Sequence, residues 1–294
     1  MEQLWRHVFD ELKVSAKEHP ILLTEPPLNP YSNRVKTADI FFEKFGAPKI
    51  FFQQQAVLSL YARGKTSGVV LDCGDGVCHA SPVFEGFSIS NAIQRIDLGG
   101  RDVTKHLQLL LRRAGYVFHT TTEFEIVKRI KELQCYVSVP IGLDIDYHKE
   151  KEDKNTSNYH LPDGHIIQLG SEKFKAPEIL FSPDKIGLEW PGVHEMVINS
   201  IRKCDIDVRK TLYNSIIVAG GTSLLTGFNE RLHKSIQKLA SRDVTITLMA
   251  PRNRKYSCWV GGATVSSLKA FNRMWITKKD FDEEGSRILF ERGL

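Results

Sequence analysis

One stretch limits the fold more than any other. Gly68-Val69-Val70-Leu71-Asp72 reads as a buried strand, is interrupted by Cys73-Gly74-Asp75-Gly76, and resumes as Val77-Cys78-His79-Ala80. Aspartate and glycine between two apolar runs are the strongest short-range hairpin signal, because tight hairpin loops need residues that tolerate positive φ. A run with apolar side chains on both alternating positions has no solvent face, so its sheet must be covered on both sides. The rest of the chain supplies that cover. Strands and helices alternate, which points to α/β layers with sheet strands joined by helical crossovers.

Trp5, Val8, Phe9 and Leu12 recur at helical spacing, so the chain begins with an amphipathic helix and not with a signal peptide. Pro20 to Thr24 predicts a short strand, Ala38, Phe41, Phe42 and Phe45 mark a helix face stopped by Gly46 and Pro48, and Lys49 to Phe52 is a strand leading into a helix from Gln54 to Arg63. Further helices bear Val103, Leu107, Leu110 and Leu111, then Ile126, Val127 and Ile130. Lys149 to Lys154 is a charged, solvated loop tip, and Leu161-Pro162-Asp163-Gly164-His165-Ile166-Ile167 is a second hairpin signature. Pro177 to Pro191 is a proline-punctuated connection that suits a domain crossing. Ser215 to Ala219 is a buried strand running into Gly220-Gly221-Thr222-Ser223 and a helix with Phe228, Leu232, Ile236 and Leu239 facing inward. Val244, Ile246 and Leu248 alternate as a strand, and Trp259 to Trp275 reads as one long apolar helix.

Composition removes several classes of protein. A chain of 294 residues, 41% hydrophobic and 26% charged, is globular and long enough for two domains. Its net charge of +5 is not gathered into a basic tract, which argues against nucleic acid as a partner. No window reaches the ~20 apolar residues that insertion across a membrane requires. Five scattered cysteines, Cys73, Cys78, Cys135, Cys204 and Cys258, suit a reducing compartment.

The glycine turns carry the chemistry. In Asp72-Cys73-Gly74-Asp75-Gly76 the glycines let a phosphate approach backbone amides, while a carboxylate can hold a hydrated divalent cation. A plain hairpin turn calls for the same residues. Strand, glycine turn and helix at Ser215 to Leu239 likewise presents free amides to an anion or cofactor. His79 alone suits a structural histidine in a strand, Gln55 a helix start, and Lys131-Glu132 an exposed charge pair.

Several long stretches, in order, resemble the actin family. They include HPILLTEPPLNPYSNR at His19 to Arg34, QAVLSLYARGKTSGVVLDCGDGVCHASPVFEGF at Gln55 to Phe87, and GGRDVTKHL at Gly99 to Leu107. YHLPDGHIIQLGSEKFKAPEILFSP at Tyr159 to Pro183, AGGTSLLTGFNERL at Ala219 to Leu232 and APRNRKYSCWVGG at Ala250 to Gly262 continue the likeness. FHTTTEFEIVKRIKE at Phe118 to Glu132 and the ending MWITKKDFDEEG look most similar to the centractin branch, the actin-related proteins of the dynactin filament.

The resemblance implies an α/β fold of the actin, sugar-kinase and Hsp70 ATPase type, amino-terminally incomplete, with two lobes around a nucleotide cleft. The expected lobes are a small one from 1–62 with 257–294 and a large one from 63–256, in which 99–188 forms the outer subdomain. The expected cofactor is ATP or ADP with Mg or Ca. Carried over position by position, Asp72 holds the metal through water, and Gly74, Asp75, Gly76 and Val77 form a phosphate hairpin in which Asp75 meets the ribose. Gln55 and His79 orient the attacking water, and Lys131, Glu132, Gly220, Gly221, Thr222 and Lys255 surround adenine and ribose. Partners would be other actin-like protomers or dynactin-type subunits in the cytoplasmic cytoskeleton, with weak ATPase activity at most.

The family builds its phosphate clamp from two glycine hairpins, and this sequence contains the second but not the first. The expectation is a truncated gene model or an alternatively started product, with an impaired clamp and an uncovered sheet edge. Cys73 and Cys78 stand where actins have small hydroxylic residues. A nucleotide-poor actin-fold scaffold acting only through protein contacts is the alternative. A sugar-kinase phosphotransferase would need a carboxylate base across the cleft, and no such motif stands out.

Overall fold

The computed structural model describes residues 1–139, 156–241 and 243–292. The chain forms two compact units, one from Met1–Ser67, Val83–Ser90 and Tyr256–Leu294, the other from Gly68–Pro82 and Asn91–Lys255.

The first unit is built on a three-stranded sheet. Ile21–Glu25 lies parallel to Lys49–Gln54, and Ile276–Thr277 is antiparallel to the same central strand. Side chains alternate across a strand, so Ile50 and Phe52 face one core with Phe41, Phe42, Ile276, Ile288 and Leu289, while Phe51 faces another with Phe271 and Trp275. The amphipathic helix Glu2–Leu12 packs Trp5 and Phe9 on the first of these cores. Helix Tyr31–Asp39 continues as a π-helical turn, Ile40–Lys44, and both Phe41 and Phe42 are buried in it. Glu25, at the edge strand's end, is buried against Arg34, whose Nη1 also donates to the Leu289 carbonyl at 2.8 Å. Gln55–Tyr61 follows the central strand without a break and packs on helix Ser257–Ser266.

The second unit carries the predicted hairpin. Leu248–Met249, Ile216–Ala219 and Gly68–Cys73 lie parallel, with Leu71 opposite Val218 and Asp72 opposite Ala219. Cys78–Phe84 is the next strand, and its first residues pair antiparallel with Gln94–Ile96, placing His79 opposite Arg95. The parallel strands Ile216–Ala219 and Gly68–Cys73 are almost wholly buried, as strands covered on both faces must be. Helices Gly100–Arg113, Thr121–Gln134, Val193–Lys203, Ile206–Tyr213 and Phe228–Leu239 belong to this unit. Thr120 caps the second of them, accepting from Glu123 N–H at 3.2 Å while Glu123 accepts from Thr120 N–H at 2.7 Å. The second hairpin pairs Ser157–His160 with Ile166–Leu169.

Three expectations need correction. The apolar run to Trp275 is not one helix: Ser257–Ser266 ends and Lys269–Arg273 is a separate 3-10 turn. Ser266 and Ser267 hydroxyls donate to the carbonyls of Ala263 and Thr264, the local bonding by which serine disfavours a continuing helix. The alternation at Val244 and Ile246 yields a strand only at Leu248–Met249. Pro177 to Pro191 lies wholly within the second unit, where Pro177 and Pro183 each open a short 3-10 turn, a position whose missing N–H costs nothing. The charged stretch at Lys149 to Lys154 lies outside the described residues.

Candidate functional site

The hairpin turn is set by its neighbours as much as by its own sequence. Gly74 N–H donates to Val77 O at 3.0 Å, closing the turn. Gly100 N–H donates to Gly74 O at 3.0 Å, and Arg101 N–H donates to Asp75 O at 2.7 Å, so the start of helix Gly100–Arg113 grips the turn by its backbone. This contact demands glycine: a Cβ on Gly100 would overlap Thr222 Oγ1 and come within 3.3 Å of Lys131 Nζ. Arg101 also pairs with Asp75 at 3.0 Å, both side chains being well exposed.

The second glycine turn meets the first at the same carbonyl. Thr222 Oγ1 donates to Gly74 O at 2.8 Å. Gly220 has φ +86°, and a Cβ there would overlap the Cys73 carbonyl oxygen, so only glycine lets the turns approach this closely. Buried Arg254 holds this turn from the far side, donating from Nε to Ser223 Oγ at 2.9 Å, from Nη2 to Ser223 O at 2.7 Å, and from Nη1 to Pro251 O at 3.1 Å.

Beside the joined turns lies a cavity of about 460 Å³ lined by Asp75, Lys128, Lys131, Glu132, Gly221, Thr222, Leu224, Leu225 and Lys255. Six of these are residues the sequence singled out. Gly74 and Gly220 belong to the turns behind it, Gly76 is exposed at the hairpin tip, and Val77 supplies the carbonyl that closes it. Lys131 is buried, and its Nζ donates to Gly100 O at 2.8 Å; burial lowers its pKa. Gln55 lies in the first unit, half-buried at the start of its helix.

Burial also acts on the two groups at the hairpin's foot. It raises the Asp72 carboxyl to about 6, with no other influence on it. It lowers the His79 imidazole to about 4, helped by the Arg95 guanidinium, and His79 Nε2 is buried without a hydrogen-bond partner. Cys73 and Cys78 are both buried, and the hydrogen bond from Cys78 together with burial pushes the Cys73 thiol up. Among the described residues no group of three or more His, Cys, Asp or Glu side chains is arranged to hold a metal. Asp72 together with water and a ligand's own oxygens is a donor set that suits magnesium.

Sequence reasoning missed Gly100 and Arg101 as turn partners, with Gly99, where a Cβ would overlap Asp75 O, beside them, Arg254 as the clamp, and Lys128, Leu224 and Leu225 as lining. The Gly-Gly pair ahead of a helix at Gly99 was the available signal for the first group. Arg254 had none, since nothing local in sequence marks a side chain that reaches back 31 positions to Ser223.

The actin family model matches residues 1–293. An actin-like protein of Neurospora crassa is 51% identical over 286 residues, covering 96% of this chain and 75% of that protein. No helix among the described residues is long and apolar enough to cross a membrane.

Proposed function

This chain belongs to the actin family and has its α/β fold, and we propose that it holds an adenine nucleotide and a divalent cation in the second unit's cavity. The observation that carries this reading is the junction of two glycine turns, 148 residues apart in sequence, at the Gly74 carbonyl beside that cavity. Half-buried Asp72, raised to about 6, fits a cation held through water, which would offset the desolvation of its charge. When bound, the cation neutralises phosphate oxygens.

The chain's own groups divide the remaining work. Amides of Asp75, Gly76 and Val77 receive phosphate, Asp75 meets the ribose, and Glu132, Gly221 and Lys255 border the base. His79 is neutral at pH 7, and its unpartnered Nε2 can hold a water. Positioning of this kind supports slow hydrolysis without a covalent intermediate. In the cell the protein acts as an actin-related cytoskeletal component of the centractin type, assembling with actin-like protomers or dynactin-type subunits in the cytoplasm.

A second reading, a scaffold that binds little nucleotide, is favoured by one observation: Thr222 and Lys131 already donate to backbone carbonyls. Titration of the purified chain with ATP, with and without magnesium, separates the two. Saturable, magnesium-dependent binding is expected; no binding at millimolar nucleotide would leave the scaffold. Sedimentation of the same samples tests assembly.

A further inference from the structure

We propose that Thr222 and Lys131 are positioning residues of the phosphate turn, acting through Gly74 and Gly100, and are not contacts to the base. This inference rests on the nucleotide reading above and reassigns two of its residues. The geometry is an unbroken relay of hydrogen bonds. Thr222 Oγ1 donates to Gly74 O at 2.8 Å, Gly100 N–H donates to the same oxygen at 3.0 Å, and Lys131 Nζ donates to Gly100 O at 2.8 Å. Gly74 in turn donates its N–H to Val77 O, so the carbonyl that the relay fixes belongs to the residue that closes the hairpin. The Thr222 hydroxyl has one hydrogen to donate, and that hydrogen goes to the turn. Lys131 lines the cavity but is only 6% exposed, and its ammonium is turned to Gly100 O as acceptor. Gly100 is where the relay is tightest, because any side chain there would overlap the Thr222 hydroxyl.

A positioning role and a base contact make different predictions for a ligand without a base. Binding of magnesium ATP and of magnesium tripolyphosphate is measured for the wild type, Thr222→Val, Thr222→Ser, Lys131→Met and Gly100→Ala. Thr222→Val removes the donor at nearly constant volume, and Thr222→Ser keeps it. The expected result is an equal loss for both ligands, about three- to tenfold, in Thr222→Val and Lys131→Met, a larger loss in Gly100→Ala, and near wild-type binding in Thr222→Ser. A loss confined to ATP, with tripolyphosphate unaffected, overturns the proposal in favour of base contact.

Hydrogen exchange at Gly74, Gly100 and Arg101, whose amides donate to Val77 O, Gly74 O and Asp75 O, provides in the ligand-free protein a readout that needs no nucleotide. Exchange should speed up in Thr222→Val and Lys131→Met and stay near wild type in Thr222→Ser; unchanged exchange in both impaired variants also overturns it. If the wild type binds neither ligand, the nucleotide reading fails, and hydrogen exchange alone decides the relay.

Discussion

The two glycine turns of the second unit are held in opposite ways. Asp72 to Val77 is gripped mainly by peptide groups, from Gly100 and Arg101 as well as from its own Gly74. Gly220 to Ser223 is gripped mainly by one guanidinium, with two nitrogens of Arg254 donating to Ser223 and a third to Pro251 beside it, while Gly220 N–H adds one backbone bond to Arg254 O. A backbone grip survives most side-chain changes but fails where a Cβ cannot fit. A side-chain grip concentrates the same task in one residue, and its removal strands several acceptors at once.

The sharpest way to break this contrast is Gly220→Ala. Its φ of +86° and the overlap with Cys73 O should cost roughly 3–5 kcal/mol in urea unfolding, whereas Gly76→Ala, with nothing near its missing Cβ, should stay within about 0.5 kcal/mol. Equal effects would mean that the turns do not need their close approach. Next is Arg254→Met, which takes the guanidinium donors from Ser223 Oγ and Ser223 O, leaves Pro251 O only the backbone N–H of residue 254, and should cost about 3 kcal/mol. Arg254→Lys should recover only part of that loss, because a single ammonium cannot reproduce the guanidinium fork.

Acid titration sharpens the picture at the hairpin's foot. The Asp72 carboxyl moves from 3.8 to about 6 on folding, so the folded state keeps its proton longer and stability falls as pH rises through that window. The His79 imidazole moves from 6.5 to about 4, so the unfolded chain takes up a proton first and stability falls as pH drops. The two slopes oppose each other. Relative to wild type, Asp72→Asn should gain up to about 3 kcal/mol at pH 7 and lose that advantage on acidification towards pH 4. His79→Gln should leave the carboxylate slope, gaining stability as pH falls. Thermal midpoints across pH 4 to 7.5 read both, and parallel profiles in the two variants would contradict the assignment. The smallest effect belongs to Arg101→Ala, whose exposed pair with Asp75 should cost no more than about 1 kcal/mol and less in high salt, since the neighbouring peptide bonds remain.

What could be read from the sequence follows the same division. The hairpin, the buried parallel strands and the turn after Ala219 were legible because apolar runs and glycine are local signals. Of the cavity's nine lining residues, Asp75, Gly221 and Thr222 were legible in the glycine turns, whereas Lys131, Glu132 and Lys255 were reached only through likeness to a family, since the two lysines look like ordinary surface lysines in isolation. Arg254 and the Gly100 contact were not legible, because each depends on which distant carbonyl lies beside it. The break at Ser266 was missed because apolar periodicity records burial and not the serine hydroxyls that compete for helix carbonyls.

The first unit is assembled from both ends of the chain. Residues 1–67 contain the edge strand and the central strand, but the third strand, Ile276–Thr277, and the buried Ile288 and Leu289 come more than 200 positions later. At a synthesis rate of about 5–20 residues per second, that gap lasts on the order of 10–40 s. Throughout it Phe41, Phe42, Ile50 and Phe52 have emerged from the ribosome without Ile276, Phe281, Ile288 and Leu289, which pack on their core in the finished molecule. Nascent chains of this protein are therefore most exposed to aggregation while the second unit, which is encoded between the two halves of the first, is being made.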